Sequence, residues 1–463
     1  MTDQADRAPG PLGSVDVAGV DGGKPSPDPV RSRTGQRQAG RARARAYSGR
    51  PPRPRGSVRA VWPRRHARAA SAPATVTSLP RTTRHSASGR AGRGPRSSTP
   101  PALCDAGVSP SSEAARIPLS ELTTLRLGGP AQRLLSASAE DQVLQTAAGA
   151  SASGEPLLVL GGGSNLVISD AGFAGTALRI ATRGVSVETK DGRCWLSAAA
   201  GEPWDDLVAR CVAEGLSGVE CLSGIPGLTG ATPIQNVGAY GQQVSETIVC
   251  VRAYDRSAGR VINLSRDECR FAYRSSHFRH TARYVILEVS FELERSRLAA
   301  PISYPELARA LGVSVGSRPP LEAVREAVLE LRRGKGMVSD PDDPDSVSAG
   351  SFFLNPVLSL GEFAALERRS AERLGEDERP PGWPAEDGAV KTSAAWLIER
   401  AGFHRGYGTG RVGISAKHTL ALVNRGGAST AELVALAREI RDGVQQAFGV
   451  TLRPEPTLVG VTI

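Results

Sequence analysis

The chain has 463 residues, with 57 Lys and Arg against 47 Asp and Glu, and a formal net charge of +10. Residues 1–100 hold 20 basic and 5 acidic residues, which leaves 37 basic and 42 acidic residues for 101–463. The net charge therefore does not indicate a nucleic-acid or membrane partner for the larger part. No run of about 18 apolar residues exists, so no transmembrane helix is expected. The six cysteines form no C-x-x-C pair, which favours reduced thiols in a cytoplasmic protein.

The first 112 residues differ in composition from the rest of the chain. They are rich in Pro, Gly, Ala, Ser and Arg and poor in Ile, Leu and Phe. Such a segment cannot bury enough apolar surface to offset its ordering entropy, so a disordered tail is expected at 1–112. Its scarce aromatic residues disfavour nucleic-acid binding. Because 19 of its 20 basic residues are Arg, we expect translation to start further downstream, near Val108, which N-terminal sequencing tests.

Regular patterning begins near Ile117. Pro203 suits the first turn of a helix, and the apolar spacing after it predicts that this helix extends through Leu216. Short apolar or alternating runs predict strands at 157–160, 166–168, 177–180, 185–189, 194–199, 247–255 and 284–293.

The second half has more helical patterning. Residues 321–333 predict an amphipathic helix, and a capping box at 429–432 predicts one that ends at Phe448 before Gly449. Strands are expected at 418–423 and 457–461, and a loop over the charged, Pro-rich residues 368–387. The sequence thus predicts an α+β protein, with a strand-rich N-terminal half and a βα-type C-terminal unit joined near 295–305.

Two glycine-rich segments are candidate binding loops. Residues 161–165 read Gly-Gly-Gly-Ser-Asn between apolar runs, so their backbone N–H groups could approach a diphosphate; a plain hairpin turn is the alternative. Residues 223–241 contain five Gly and two Pro but also apolar residues. This composition indicates an ordered loop around a flat ligand, with Gln235 and Asn236 as hydrogen-bonding groups, or a buried Ω-loop.

Four further positions carry side chains suited to chemistry. Arg274, next to Tyr273 and two serines, could bind a planar carboxylate. Lys335 lies between glycines, which favours an anionic ligand. Ser351 precedes two phenylalanines and could deliver a proton at the edge of an apolar pocket, or simply cap a turn. Glu455 lies between two prolines, which would hold its carboxylate in one direction.

A metal site is not expected. His277 and His280 have the H-x-x-H spacing, but no third ligand at a suitable distance in the sequence accompanies them.

Taken in order, these motifs closely resemble those of UDP-N-acetylenolpyruvoylglucosamine reductase, also called UDP-N-acetylmuramate dehydrogenase, of peptidoglycan synthesis. The resemblance covers residues 115–463 and rests on 161–165, 224–241, 273–276, 350–356 and 454–456. It implies a two-lobed FAD-binding domain of the vanillyl-alcohol-oxidase (PCMH) type at 113–298. A separate α+β substrate-binding domain would occupy 299–463, and its last strand could return to the FAD domain.

The resemblance also implies a mechanism. NADPH would reduce noncovalently bound FAD, and a hydride would then pass to the enolpyruvyl ether of UDP-N-acetylglucosamine. Arg274 and Glu455 would stabilise the negative charge that develops, and Ser351 would protonate the carbanion as general acid. The implied cofactor residues are Gly161, Gly162, Gly163, Ser164, Asn165, Gly224, Ile225, Pro226, Gly227, Gly230, Asn236 and Gly238. The implied substrate contacts are Tyr273, Tyr304, Lys335 and Asn355.

Some features depart from the family pattern. Leu354 replaces a lysine that is common before the asparagine, and Ala231-Thr232 replaces a pair of smaller residues before Pro233. Which of the family's two substrate-loop arrangements the chain uses stays open at this point.

Two alternatives remain. Another FAD enzyme of the same fold could act on a carbohydrate or alcohol, but the absence of His between residues 86 and 276 counts against a flavin tethered to histidine. A binding protein that uses its basic tail would lose its activity when residues 1–110 are deleted, whereas the enzyme would not. The interpretation as a member of the reductase family predicts a cytoplasmic monomer with a small-molecule substrate, no nucleic-acid partner and no membrane insertion.

Overall fold

The computed structural model describes residues 117–190 and 193–463. The expectations of a disordered segment at 1–112 and of a start near Val108 lie outside these residues. The described part mixes helices and strands throughout, as the α+β prediction requires. Within it, no helix combines the length and the hydropathy that crossing a membrane needs.

The first lobe is a small parallel sheet with one helix. Strand β4 (Phe173–Ile180) lies between β1 (Ala131–Ala137) and β2 (Leu157–Leu160) and runs parallel to both. The carboxyl ends of these strands therefore share one edge of the sheet, the edge at which open α/β sheets bind ligands. The elements of this lobe are β1 (Ala131–Ala137), α1 (Glu140–Ser153), β2 (Leu157–Leu160), β3 (Leu166–Ile168) and β4 (Phe173–Ile180).

The second lobe is an antiparallel sheet of order β11-β10-β12-β6-β5, with β7 beside β12. The alternating apolar residues of β12 are buried, as their pattern predicts. Helix α2 covers the sheet through Trp204, whose ring lies 5.9 Å from that of Phe291. The elements are β5 (Val185–Lys190), β6 (Arg193–Ala199), α2 (Trp204–Ala213), β7 (Leu216–Ser217), β8 (Gly238–Ala239), β9 (Gln242–Gln243), β10 (Ile248–Asp255), β11 (Arg260–Ser265) and β12 (Tyr284–Arg295).

The prediction that α2 extends through Leu216 is wrong. The helix ends at Ala213 because Gly215 adopts a left-handed φ of 68°, a conformation that terminates helices. Leu216 instead pairs with Arg295 of β12.

Two helices follow the second lobe, α3 (Pro305–Leu311) and α4 (Leu321–Arg333). Their apolar faces meet each other and also Val212 of α2 and Cys221, where they form a small core. Residues 299–333 therefore pack against the second lobe, although they follow the boundary expected between the two domains.

The C-terminal unit packs around Phe352, Phe353 and Phe448, in a core that Val167 of β3 also joins. A three-stranded sheet of order β13-β18-β17 contacts α7, and a second sheet has the order β14-β16-β15. The elements are β13 (Ser348–Ser351), β14 (Val357–Leu358), α5 (Leu360–Leu374), β15 (Gly382–Pro384), β16 (Val390–Thr392), α6 (Ala394–Arg400), β17 (Val412–Ile414), β18 (Ala421–Asn424), α7 (Thr430–Phe448) and β19 (Thr457–Val459).

The loop expected over 368–387 is wrong at 368–374 and at the short strand β15, Gly382–Pro384. Residues 368–374 belong to α5, which begins with a capping box between Ser359 and Glu362 and buries Leu366. The charged residues cover the exposed face of this amphipathic helix rather than a loop. Similarly, β18 begins at Ala421, three residues after the predicted start at His418.

The end of the chain returns to the first lobe. Strand β19 runs parallel to β3, with Leu458 opposite Val167, and the N–H of Thr457 donates to the Asn165 carbonyl at 3.0 Å. This pairing places residues 453–457 beside the glycine-rich loop that precedes β3.

Candidate active site

The glycine-rich loop 161–165 joins β2 to β3 at the carboxyl edge of the first lobe. Within the described part of the chain, its five backbone N–H groups have no protein hydrogen-bond acceptor. Ser164 Oγ anchors the loop by donating to the Pro226 carbonyl at 3.0 Å. A run of unpaired N–H groups forms a concavity that suits an anion, so the loop is able to accept a diphosphate.

Two of the three glycines are also needed by the protein itself. A Cβ on Gly162 would lie 2.7 Å from the Cα of Gly227, so the loop and the segment 223–241 touch backbone to backbone. Gly163 has a φ of 63°, and a Cβ there would overlap the Leu122 carbonyl oxygen. The glycines thus allow two loops to meet as well as a ligand to approach.

The substitution Gly163→Ala is expected to cost about 3 kcal/mol, because left-handed strain and a backbone overlap add. Gly154→Ala is the matched control: Gly154 has a φ of 69° but no atom within 4 Å of an added Cβ, and about 1 kcal/mol is expected there. Denaturant unfolding of both variants measures the difference. Equal losses would show that a small shift relieves the overlap with Leu122.

The segment 223–241 is ordered and tied to both neighbouring elements. The N–H of Gly224 donates to Asp205 Oδ1 of α2 at 2.6 Å, and the N–H of Gly230 donates to the Ala200 carbonyl at 2.9 Å. Asn236 has a left-handed φ of 49°, and its side-chain amide donates to the Ala272 carbonyl at 3.1 Å. The segment is therefore held firmly in contact with the glycine-rich loop, as either of its two sequence interpretations requires.

A cavity of about 450 Å³ lies between the two lobes at the same sheet edge. It is lined by residues that follow β1 and β4 in the first lobe, among them Ser138 and Thr182, and by Ser197 and Ile286 of the second lobe. Charged side chains also line it, and no residue of 161–165 or 223–241 does. The fit to a flavin dinucleotide therefore rests on the unpaired N–H groups of 161–165, which suit its diphosphate.

Arg274 and Glu455, predicted to act together, form an ion pair. Arg274 Nε lies 3.2 Å from Glu455 Oε1, and the two side chains are only 23% and 18% exposed. The guanidinium also donates to the Gly238 carbonyl at 2.7 Å. Arg274 has a φ of 51°, a strained conformation that often marks functional positions. The pair joins the turn 272–275 to the segment 223–241 and to the chain's last extended segment.

Glu455 is held from several sides. Its N–H donates to the Phe352 carbonyl at 2.8 Å, and its own carbonyl accepts from Gln235 Nε2 at 3.1 Å and from Arg279 Nη2 at 3.2 Å. Burial raises the pKa of Glu455, and the charges of Arg274 and Arg279 oppose that rise. The backbone of Glu455 is thus fixed in place, and its carboxyl holds a proton to a higher pH than an exposed glutamate does.

Arg279 is a positioning residue that the motifs did not reveal. Besides its contact with Glu455, it donates to the Arg274 carbonyl, so one guanidinium holds the main chain of both members of the ion pair. Its Nε is buried without a partner among the described residues.

Ser351 ends β13, one residue before the Phe352 carbonyl that binds Glu455. Its Oγ lies 3.5 Å from His418 Nε2. The structure therefore brings Ser351 and Glu455 onto adjoining segments, and it adds a histidine that the sequence analysis did not single out.

Tyr273 directly precedes Arg274, whose guanidinium carbon lies 5.7 Å from the centre of the Tyr273 ring. Burial raises the pKa of Tyr273, with Arg274 and Asn355 acting against the rise. Lys391 of β16 places its Nζ 5.1 Å from the centre of the Tyr273 ring. Asn355 Oδ1 accepts from the Ala394 N–H at 3.0 Å, which ties this corner to α6.

Lys335 and Tyr304 form a second group of side chains. Lys335 Nζ contacts Glu306 at 2.8 Å and lies 5.5 Å from the centre of the Tyr240 ring. Tyr304 packs edge-on against Tyr240, with ring centroids 5.7 Å apart. None of these contacts reaches Arg274, and Lys335 is one of the charges that lower the pKa of His418.

The first histidine of the H-x-x-H spacing contacts aromatic side chains. His277 Nε2 lies 2.8 Å from the Tyr284 hydroxyl, and its ring packs against Phe278. In residues 117–190 and 193–463, no three metal-ligating side chains come together.

Known proteins resemble the chain in both sequence and fold. A family model described as FAD binding domain matches residues 131–265, and one described as UDP-N-acetylenolpyruvoylglucosamine reductase, C-terminal domain, matches residues 342–459. A solved structure of UDP-N-acetylenolpyruvylglucosamine reductase from Thermus caldophilus covers 74% of this chain and 98% of its own, with a TM-score of 0.50 and 24% identity. That structural likeness supports the fold expected from the sequence.

Curated relatives resemble the chain more closely in sequence. The UDP-N-acetylenolpyruvoylglucosamine reductase of Thermobifida fusca is 60% identical over 351 residues, which are 76% of this chain and 99% of that protein. The Streptomyces coelicolor protein of the same name is 59% identical and covers 77% of this chain and 92% of its own. With this identity along almost the whole length of its relatives, the chain belongs to the UDP-N-acetylenolpyruvoylglucosamine reductase family.

Proposed function

We propose that this chain reduces the enolpyruvyl ether of UDP-N-acetylglucosamine to UDP-N-acetylmuramate in peptidoglycan precursor synthesis, with NADPH as reductant and noncovalently bound FAD. The observation that carries the proposal is the Arg274–Glu455 ion pair, joined through the Phe352 carbonyl to the strand that ends at Ser351. A cation, a buried carboxyl and a hydroxyl on adjoining segments can stabilise a carboxylate-bearing carbanion and protonate it.

The cofactor would bind where the two glycine-rich segments meet. The unpaired N–H groups of Gly161, Gly162, Gly163, Ser164 and Asn165 would hold the diphosphate. Bound FAD supplies hydride transfer between NADPH and the substrate. The ring system would be lined by Gly224, Ile225, Pro226, Gly227, Gly230, Asn236 and Gly238.

Arg274 and Glu455 would act on the substrate carboxylate. Hydride addition to the vinyl carbon leaves negative charge on the adjacent carbon and its carboxylate. Arg274, already fixed by the Gly238 carbonyl, would stabilise that charge without rearranging. Glu455, paired with Arg274 while it is ionised, would donate a hydrogen bond once protonated, a form that burial favours by raising its pKa. Both groups therefore act most strongly where charge develops in the transition state.

The rest of the substrate would lie between the FAD-binding domain, 113–298, and the substrate-binding domain, 299–463. Tyr273 and Asn355 would contact it beside Arg274, and Tyr304 and Lys335 would contact it as a separate group. Lys335 is paired with Glu306. A ligand phosphate would therefore share the positive charge of Lys335 with the Glu306 carboxylate.

The proposal is tested with the full chain. The purified protein should carry FAD and should oxidise NADPH beyond one equivalent of flavin only when UDP-N-acetylglucosamine enolpyruvate is present. Bound flavin with NADPH oxidation driven by a sugar or alcohol-derived acceptor instead would point to another oxidoreductase of this fold. Absence of both flavin and turnover would contradict the proposal.

The proposal includes a monomeric, cytoplasmic enzyme that inserts into no membrane and binds no nucleic acid. Light scattering of the FAD-loaded chain at micromolar concentration tests the monomer, and a dimer mass would overturn that part alone.

A further inference from the structure

His418 lies behind the proposed proton donor. Its Nε2 is 3.5 Å from Ser351 Oγ, although 67 residues separate the two in sequence. The histidine sits in the turn between β17 and β18, where its own N–H donates to Ser415 Oγ at 3.2 Å. Ser351 is held opposite Ala421 by strand pairing, and the Phe352 N–H donates to the Leu420 carbonyl at 2.7 Å. Both partners are thus fixed by backbone contacts.

The surroundings of the imidazole keep it neutral. Burial lowers the pKa of His418 to about 4, and the charges of Lys335 and Arg405 contribute to the decrease, while Glu306 and Glu399 oppose it. Near neutral pH the ring therefore carries a single proton, on one of its two nitrogens. Which nitrogen carries it decides whether His418 donates to Ser351 or accepts from it.

We propose that His418 is the positioning residue for Ser351, with its neutral imidazole donating the Nε2 hydrogen to Ser351 Oγ. The inference rests on the proposed function. Ser351 Oγ then accepts a hydrogen bond from His418. The hydroxyl hydrogen of Ser351 is therefore free to point toward the bound substrate. In the opposite arrangement the serine would direct its hydrogen at His418 and could not protonate a substrate without first rotating.

In the proposed step, Ser351 transfers its hydroxyl proton to the substrate carbanion. The O–H bond of Ser351 breaks as a C–H bond forms on the substrate carbanion, and the electron pair of the broken bond stays on Oγ. The Nε2–H of His418 stabilises the resulting alkoxide. Solvent water then returns a proton to Oγ and leaves as hydroxide, which the buffer neutralises. The imidazole is neutral before and after, so His418 orients and stabilises and is not itself the acid.

The test compares His418→Leu with His418→Gln in the FAD-loaded full chain. Leucine fills the site without a donor, whereas glutamine keeps an N–H of similar reach. Loss of a hydrogen bond to a developing charge should slow flavin reoxidation by substrate about 10- to 100-fold in the leucine variant. The glutamine variant should recover most of that loss. FAD reduction by NADPH should change less than about three-fold in either variant.

Two further measurements separate positioning from a structural role. In a Ser351→Ala background, His418→Leu should cause almost no additional loss, because the group that His418 orients is gone. Nitrogen NMR of isotope-labelled histidine should show the Nε2–H tautomer of a ring that stays neutral well below pH 6, and this readout needs no turnover.

Several results would overturn the inference. They are an Nδ1–H tautomer, equal slowing of both half-reactions, or the same loss from His418→Leu with and without Ser351. Failure of the proposed function looks different, because the wild-type chain itself would then show no substrate-dependent reoxidation while the NMR result could still hold.

Discussion

Ser351→Ala is expected to slow reoxidation of the reduced flavin by the enolpyruvyl substrate about 100- to 10,000-fold, the usual range for loss of a general acid. The Ser351 hydroxyl lies at the end of β13, beside the segment that carries Glu455. It is the group proposed to protonate the substrate carbanion. Reduction of FAD by NADPH needs no proton from Ser351, so that half-reaction should change less than about three-fold. Stopped-flow measurement of flavin absorbance follows the two half-reactions separately.

Ser348→Ala is the matched control for this prediction. Ser348 lies on the same strand and its Oγ accepts from the Gly350 N–H at 3.2 Å, so its loss should lower stability by about 1 kcal/mol without selecting one half-reaction. If Ser351→Ala slowed both half-reactions alike, Ser351 would shape the pocket rather than donate the proton.

Local sequence patterns were sufficient for much of the fold. Helix α4 has the predicted bounds, and α7 ends at the predicted residue, because an amphipathic pattern and a capping box are encoded within a few neighbouring residues. Errors occurred where two local signals compete. The apolar Leu216 continued the pattern of α2 past Gly215, and the charges of 368–374 concealed a helix whose start signal, Ser359, lies nine residues earlier.

The candidate site was predictable to the extent that its residues lie in family motifs. Glycines, prolines and the Tyr-Arg pair stand out by composition, and their resemblance to a family placed them in one site. His418 and Arg279 carry no such signal, because their importance comes from partners far away in sequence. His418 precedes an ordinary buried strand, and Arg279 is one arginine among many until the fold places it against Arg274 and Glu455. Contacts of this kind require three-dimensional coordinates.

Arg274→Ala is expected to slow substrate-driven reoxidation about 100- to 1,000-fold, the effect of removing one preorganised donor from a developing negative charge. The variant also leaves Glu455 buried without its partner, which raises the pKa of that carboxyl further, since Arg274 is the first of the two charges that lower it. Arg274→Lys should recover only part of the rate, because an ammonium cannot reproduce the fork that contacts the Gly238 carbonyl and Glu455 together. Stopped-flow reoxidation again provides the measurement.

The control for charge alone is Arg283→Ala. Arg283 is paired with Asp255 on the second lobe, with Nε 2.9 Å from Oδ1, so its loss should affect stability and leave both half-reactions within about three-fold of wild type. An equal decrease in reoxidation for the Arg274 and Arg283 variants would contradict a local role for Arg274.

The protonation state of Glu455 can be determined from the pH dependence of flavin reoxidation by substrate. Because burial raises its pKa and the protonated form is the one proposed to donate, reoxidation should fall as pH rises through that pKa. Glu455→Gln keeps a donor at every pH, so the variant should lose this dependence and retain more activity than Glu455→Ala. A falling limb that persists in the glutamine variant would assign the titration to another group and leave Glu455 with the role of holding Arg274 in place.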